Sequence, residues 1–240
     1  MQIEYGISSV IDSSLIKDNQ IEIENHVPSG KLTASYLHQP KRFQLLKYLG
    51  VPEKELDTFK LRKFSRGRQV EDWFIDKLKT QEGLVVSTQE TVEYRGVVGR
   101  VDAVINQDLL GIKVGNIPHE IKSVTNKNFK YIQKGDVGEH YKLQAGLYAL
   151  AKGSDYFCLD FIASDDLRDR CYLFETSEVE WEIEKIINEF TYMVSEHIVP
   201  EWDFRQQWQN NPDYMNYDPI WTTCNEYEFR NRLDQLRINY

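Results

Sequence analysis

Between residues 65 and 152 the spacing of apolar positions switches from helical to alternating and back again. Val70, Phe74 and Leu78 recur at helical spacing with Trp73 beside them, which predicts a helix over 65–80, ended by Gln81-Glu82-Gly83. Glu71 lies on the edge of its apolar face. The stretches 84–94 and 97–105 then alternate around Arg95-Gly96 and predict two strands joined by a turn. Residues 106–111 read as a turn followed by a short strand across Ile112-Lys113-Val114, and 118–124 as a third main strand. A polar, lysine-bearing loop over 125–138 leads into a helix over 139–152 with Leu143, Leu147 and Leu150 inward. Two more strands are expected at 156–162 and 170–175. Ser177, with Glu180 three residues later, predicts a capping box and a helix to about residue 197, stopped by Pro200.

The flanks are less periodic. Residues 1–30 end in Pro28-Ser29-Gly30 and are expected to form a short hairpin or an arm. Thr33 or Ser35 caps a helix running to about residue 49, interrupted near Pro40 and closed by Gly50-Val51-Pro52. Residues 201–240 are rich in aromatic side chains, among them Trp202, Trp208, Tyr214, Tyr217 and Trp221, and are expected to pack as an extension on the core. The division is therefore an N-terminal arm (1–30), a main domain (31–200) and the C-terminal extension. Strands with helices before and after them predict an α/β fold, a central mixed sheet flanked by helices.

The strands carry chemistry. Side chains two apart on a strand share a face, so Glu120 and Lys122 point one way and Ile121 the other. Asp102, between apolar Val101 and Ala103, is placed to meet Glu120 from a neighbouring strand. Two close carboxylates repel unless a cation lies between them. Hard oxygen donors favour Mg²⁺ or Mn²⁺, and the Ile121 carbonyl is placed to add a neutral ligand. Such an ion would acidify a bound water and stabilise charge at a phosphorus centre, with Lys122 orienting the water or offsetting that charge. Taken alone, so short a pattern favours edge charges in salt bridges with Arg100 and Lys122; the surrounding motifs shift the reading.

In order, Gly67-Arg68-Gln69-Val70-Glu71, Gly99-Arg100-Val101-Asp102, Glu120-Ile121-Lys122 and Gln144-Ala145-Gly146-Leu147-Tyr148 resemble the motifs of the PD-(D/E)XK nuclease superfamily, in particular its RecB-like exonuclease branch. Thr33-Ala34-Ser35-Tyr36-Leu37 through Lys41-Arg42-Phe43 resembles that branch's N-terminal helix more weakly. The resemblance implies a restriction-endonuclease-like core and metal-dependent exonuclease activity at single-stranded or duplex DNA ends. It casts Asp102 and Glu120 as metal-binding acids, Lys122 as the catalytic lysine, and Glu71 as a further metal ligand. Gln144 and Tyr148 become the pair that braces the site and contacts DNA. Val101 stands where the superfamily's name has proline. The CRISPR-associated members carry four cysteines around an iron–sulfur cluster. Here His38-Gln39-Pro40 occupies the region of the first, and the cysteine-rich C-terminal motif is absent, so a cluster-free member is implied.

Composition qualifies this picture. The 240 residues carry a net charge of −9, which taken globally disfavours phosphate contacts. Locally, residues 41–68 are strongly basic, and Lys41, Arg42 and Arg68 are candidate DNA contacts. Lys127 and Lys130, with Lys134 and interleaved Phe129 and Tyr131, suit single-strand binding by charge and stacking. His119 beside Glu120 reads as a metal ligand or, since adjacent strand residues face opposite ways, more readily as a buried or bridging histidine, while His140 opens the Gln144/Tyr148 helix as either a substrate contact or surface. Cys158, Cys171 and Cys224 are scattered, with no Cys-x-x-Cys, so neither a zinc site nor a disulfide framework is indicated. A reducing, cytoplasmic compartment is expected, with no secretory leader and no apolar run of bilayer length. The competing functions are a non-catalytic subunit docking on a helicase or recombination protein, and a structure-specific endonuclease. The oligomeric state is left open.

Overall fold

The computed structural model describes residues 7–25, 30–201, 217–222 and 224–237. Its centre is a six-stranded mixed sheet of β1 (Leu32–Thr33), β2 (Val85–Tyr94), β3 (Val97–Asn106), β4 (Asn116–Val124), β5 (Tyr156–Ala163) and β6 (Asp169–Glu175). β2 and β3 form the expected hairpin. Its turn residues Arg95 and Gly96 both have positive φ, 48° and 82°, the turn geometry that matches strand twist. β3 pairs antiparallel with β4, β4 parallel with β5, and β5 antiparallel with β6. The parallel step needs a crossover. It is supplied by α4 (Asn126–Ile132) and α5 (Glu139–Lys152).

Alternation along β5 sorts the two layers. Phe157, Leu159 and Phe161 join the large core with Leu147 of α5 and Ile183 and Ile187 of α6 (Ser177–Ser195). Ile162 belongs to a second cluster with Ile121, Ala103 and Ile105, closed by Val70 and Ile75 of α3 (Thr58–Leu78). Helices thus flank the sheet, as the chain's pattern requires.

Several local expectations change. Of the hairpin or arm expected over 1–30, the described residues form no hairpin: α1 (Ile7–Asn25) is a helix lying against α3, with Arg62 Nε 2.8 Å from Asp12 Oδ1. α3 begins well before residue 65, because the Asp57 side chain accepts from Lys60 N at 2.7 Å and caps an earlier turn. The helix expected over 33–49 is divided. Leu32–Thr33 pairs with β3, Ala34–Tyr36 is a single 3₁₀ turn, and α2 (Lys41–Tyr48) starts only after Pro40. Ile112-Lys113-Val114 is not a strand. The segment over 125–138 is not simply a loop: Thr125 caps α4, and Phe129 and Ile132 bury from one side of it. The capping box at Ser177 does not form. Ser177 is itself helical, and Thr176 before it makes no side-chain cap.

After residue 217, α7 (Pro219–Thr222) and α8 (Glu226–Gln235) follow, the second held by a capping box between Asn225 and Glu228. Tyr217, Trp221, Phe229 and Leu233 join the large core. Trp202, Trp208 and Tyr214 lie outside the described residues. No described helix is long and apolar enough to cross a membrane.

The contact between α5 and α6 depends on Gly146. A Cβ there would lie 2.4 Å from Val179 Cγ2 and 3.2 Å from Ile183 Cδ1. In an open helix Gly→Ala gains about 1 kcal/mol of propensity. Here overpacking against a stiff β-branched neighbour costs about 1–3 kcal/mol and wins. Gly146→Ala is therefore expected to lower the denaturation midpoint; a raised midpoint would show that α6 gives way freely.

Candidate active site

The site lies where the sheet divides. One edge of β3 carries β2 along its length. The other is shared: Val97 and Val98 pair with β1, whereas Ala103 to Asn106 pair with β4. The next β3–β4 pair in register would be Asp102 with Glu120, and it does not form. Instead the Asp102 carboxylate takes the freed backbone donor, with Oδ2 accepting from Ile121 N at 2.8 Å. Asp102 and Glu120 are thereby held together in the fork. Glu120 is only 1% exposed. Its Oε1 ion-pairs with Lys122 Nζ. Neither of its oxygens receives a well-directed hydrogen bond.

Glu71 reaches the same place from α3. Its Oε1 accepts from Gln89 Nε2 at 2.6 Å. Gln89 stands on β2 opposite Asp102, just past a register shift, and has a positive φ of 53°. That conformation is uncommon for a non-glycine residue and is found concentrated at functional positions. Sequence reasoning did not single out Gln89, since nothing in its composition marks a strand residue that leaves the ladder.

The electrostatics follow from burial and crowding. Burial, then repulsion from Asp102, lifts Glu71 to about 7 against the pull of Lys122 and the Gln89 hydrogen bond. Burial, with Asp102 and Glu71 adding to it, lifts Glu120 to about 8 despite Lys122. Burial also raises Asp102, although Lys122 and the Ile121 N–H oppose it. Burial acts to discharge Lys122, but Glu120 and Asp102 outweigh it and hold the ammonium above its ordinary range. Lys122 therefore stays charged.

α5 closes the site. Gln144 Nε2 donates to Tyr148 Oη at 2.8 Å, one helical turn apart. Tyr148 is buried, and burial followed by Glu120 raises its phenol, so it keeps its proton beside the acids. Gly99 makes room for the ring: a Cβ there would lie 2.3 Å from Tyr148 Cε1. At the start of α5, the Tyr141 ring faces Lys122 Nζ at 5.7 Å. The His140 ring lies tilted against Tyr141, centroids 3.8 Å apart, and meets His38 at 5.1 Å. Burial and Lys122 depress His140, and burial and His140 depress His38 to about 4, so both rings are neutral.

The structure thus brings Glu71, Asp102, Glu120, Lys122, Gln144 and Tyr148 together, with Ile121 supplying its N–H to Asp102. Among the described residues no ion pair joins Asp102 to Arg100, whereas the Glu120–Lys122 pair does form. The basic candidates divide. Arg42 is not a surface contact: it is 3% exposed, donates through Nη1 to the Cys224 carbonyl at 2.8 Å and lies over the Phe229 ring. Its charge ties α2 to α8. Lys41 is exposed but paired with Glu189 at 2.8 Å. Arg68 is exposed at the seam with α1, among Leu15, Asp18 and Phe64. Lys127 and Lys130 are exposed on α4, which starts just beyond Lys122. Phe129 is core, so it is no stacking platform, while Tyr131 is exposed. The expected basic surface over 41–68 is partly offset, by Lys41–Glu189, Lys47–Glu53 and Arg62–Asp12.

No protein-family model matches the chain, and no curated protein matches it in sequence. Solved structures do match in shape. The protein SSO0001 aligns with a TM-score of 0.51 at 20% identity, over 76% of this chain and 86% of its own. An alkaline exonuclease from Laribacter hongkongensis, LHK-Exo, aligns with a TM-score of 0.52 at 17% identity, over 71% of this chain and 91% of its own. The same enzyme in complex with dAMP aligns at 0.50 and 16% identity, over 70% and 90%. The α/β fold read from the sequence is thus one that an exonuclease also uses.

The donor set fits a hard dication. Three buried or half-buried carboxylates crowd one spot, and the deepest of them lacks directed donors. A carboxyl raised above its unfolded value binds more protons in the native state, so stability falls as pH climbs from about 4.5 through about 8 for Glu120. A bound cation removes that penalty. The rise in Tm on adding Mn²⁺ is therefore expected to be larger at pH 8 than at pH 6. A rise that is larger at the lower pH would contradict the crowding.

Proposed function

We propose that this protein is a divalent-metal-dependent deoxyribonuclease that hydrolyses phosphodiester bonds at DNA ends. The observation that carries the reading is the convergence of Glu71, Asp102 and Glu120 beside a charged Lys122, in a fork of the sheet walled by Gln144 and Tyr148. The shared fold with an alkaline exonuclease, and the existence of that enzyme's complex with dAMP, support a nucleotide-handling reading.

Glu71, Asp102, Glu120 and the Ile121 carbonyl are the groups that would hold Mg²⁺ or Mn²⁺. When bound, the ion would supply a more acidic water and a Lewis acid for the phosphate. The chain's own groups do the rest. Gln89 fixes the Glu71 carboxylate. The Ile121 N–H fixes Asp102. Lys122 cannot act as a base, because its neighbours keep it protonated; its ammonium offsets negative charge that builds on the phosphate oxygens as water attacks and the bridging oxygen leaves. Tyr148 donates from a pocket that Gly99 leaves open. Neutral His140 borders Lys122, with neutral His38 against it, and offers hydrogen bonds without adding charge. Lys127 and Lys130, together with exposed Tyr131, supply contacts to the strand beyond the site.

End-labelled linear DNA, single-stranded and duplex, is expected to be degraded with Mg²⁺ or Mn²⁺ and left intact with EDTA, while closed circles persist. Asp102→Ala, Glu120→Ala and Lys122→Ala are each expected to lower the rate by about 10²-fold or more, with secondary structure retained. Undiminished cleavage in any of the three, or digestion in EDTA, would place the chemistry elsewhere. Cleavage of circles would favour an endonuclease.

A further inference from the structure

Next to Glu120 in the chain, but on the other side of β4, His119 sits in a polar cluster that the proposed chemistry does not use. His119 is 2% exposed and hydrogen-bonded at both nitrogens. Nδ1 lies 2.5 Å from Asp160 Oδ2, and Nε2 lies 2.6 Å from Gln107 Nε2. Strand pairing adds two thiols. Cys158 on β5 is the register partner of His119, and Cys171 on β6 is the register partner of Asp160. Cys158 and Asp160 are two apart on β5 and share that face. One ligand atom each from His119, Cys158 and Cys171 lies within 4.8 Å of the others. All three cysteines are free thiols.

We infer that His119, Cys158 and Cys171 form a second metal site with a donor set suited to Zn²⁺, the Asp160 carboxylate beside His119 being the group that swings in as fourth ligand. Zinc takes four ligands tetrahedrally, and a Zn–S bond of about 2.3 Å sets two sulfurs about 3.8 Å apart. The three grouped ligand atoms need to close by no more than about an ångström to approach that separation, while His119 Nδ1 and Asp160 Oδ2, 2.5 Å apart, must part to admit an ion. Thiolate and imidazole ligands disfavour Mg²⁺ and Mn²⁺, so this site and the carboxylate fork select different ions. With Nε2 of His119 held by Gln107, Nδ1 is the nitrogen left facing Asp160 and the thiols. With the Gln107 amide turned so that its Oε1 accepts from Nε2–H, it becomes the outer support usual for a ligating histidine. Buried Asp160 already has the imidazole against it, and a dication takes that place as the carboxylate's counter-charge. Cys171, the one exposed member, gives the ion a way in. An ion so placed pins β4, β5 and β6 together at the residue beside Glu120.

Co²⁺ serves as the probe, because thiolate ligation gives an intense near-ultraviolet charge-transfer band that oxygen ligation lacks. The full-length, reduced, metal-stripped chain is expected to develop that band with Co²⁺ and to lose it on adding Zn²⁺. Cys171→Ser, at an exposed position, is expected to keep its circular dichroism and lose the band. Cys224→Ser and Asp102→Ala are expected to retain it. Absence of the band, its persistence in Cys171→Ser, or its loss in Asp102→Ala overturns the proposal. Recovery of a metal-free Cys158–Cys171 disulfide from reduced protein given Zn²⁺ also overturns it. No arm depends on DNA cleavage, so failure of the nuclease reading would leave this test intact.

Discussion

Carboxylates that share a buried pocket repel one another, and few sequences tolerate three of them without a compensating charge. This chain gathers Glu71, Asp102 and Glu120 in one place, and the ammonium of Lys122 offsets only part of the repulsion, as the raised Glu71 and Glu120 carboxyls record. The rest of the local architecture is arranged around that conflict. β3 and β4 stop pairing where Asp102 and Glu120 would face each other, so each acid is held without closing the sheet over it. The backbone donor left unpaired by the split is used to fix Asp102. Gln89 leaves regular strand geometry to reach Glu71.

Packing makes the conflict sustainable. A sheet covered by helices on both faces supplies a rigid frame, and the Gly99 and Gly146 positions show how tightly the α5 layer is set. Gly99 admits the Tyr148 ring to the acids, while Gly146 lets α6 press α5 down onto the sheet. Burial that stabilises the fold thus creates an electrostatic strain that a bound dication would relieve. Stability and function are coupled through Glu120 in particular, which is deeper than either of its partners and less well satisfied by hydrogen bonds.

The parts legible in the sequence were those governed by short-range periodicity. The strands at 85–94, 97–106 and 116–124 and the helix at 139–152 follow from alternation and helical spacing. Glu120 and Lys122 follow from the two-residue repeat. What escaped depended on contacts distant in the chain. Arg42 reads as one more basic residue until the C-terminal helix buries it under Phe229. Gln89 has no compositional mark, since its role arises from a positive φ within an otherwise paired strand. Cys158 and Cys171 are separated by a whole strand turn in sequence and become neighbours of His119 only through the β4–β5–β6 pairing. Phe129 was read as a platform for bases because charge surrounds it in sequence; as the buried side of a short helix it is core.

A crystal of the protein soaked in Mn²⁺, examined at the manganese absorption edge, tests the central claim most directly. An anomalous peak is expected in the fork of β3 and β4, ligated by Asp102, Glu120 and the Ile121 carbonyl, with Glu71 turned toward it. A fork without a peak, or a peak held by groups outside that set, would contradict it.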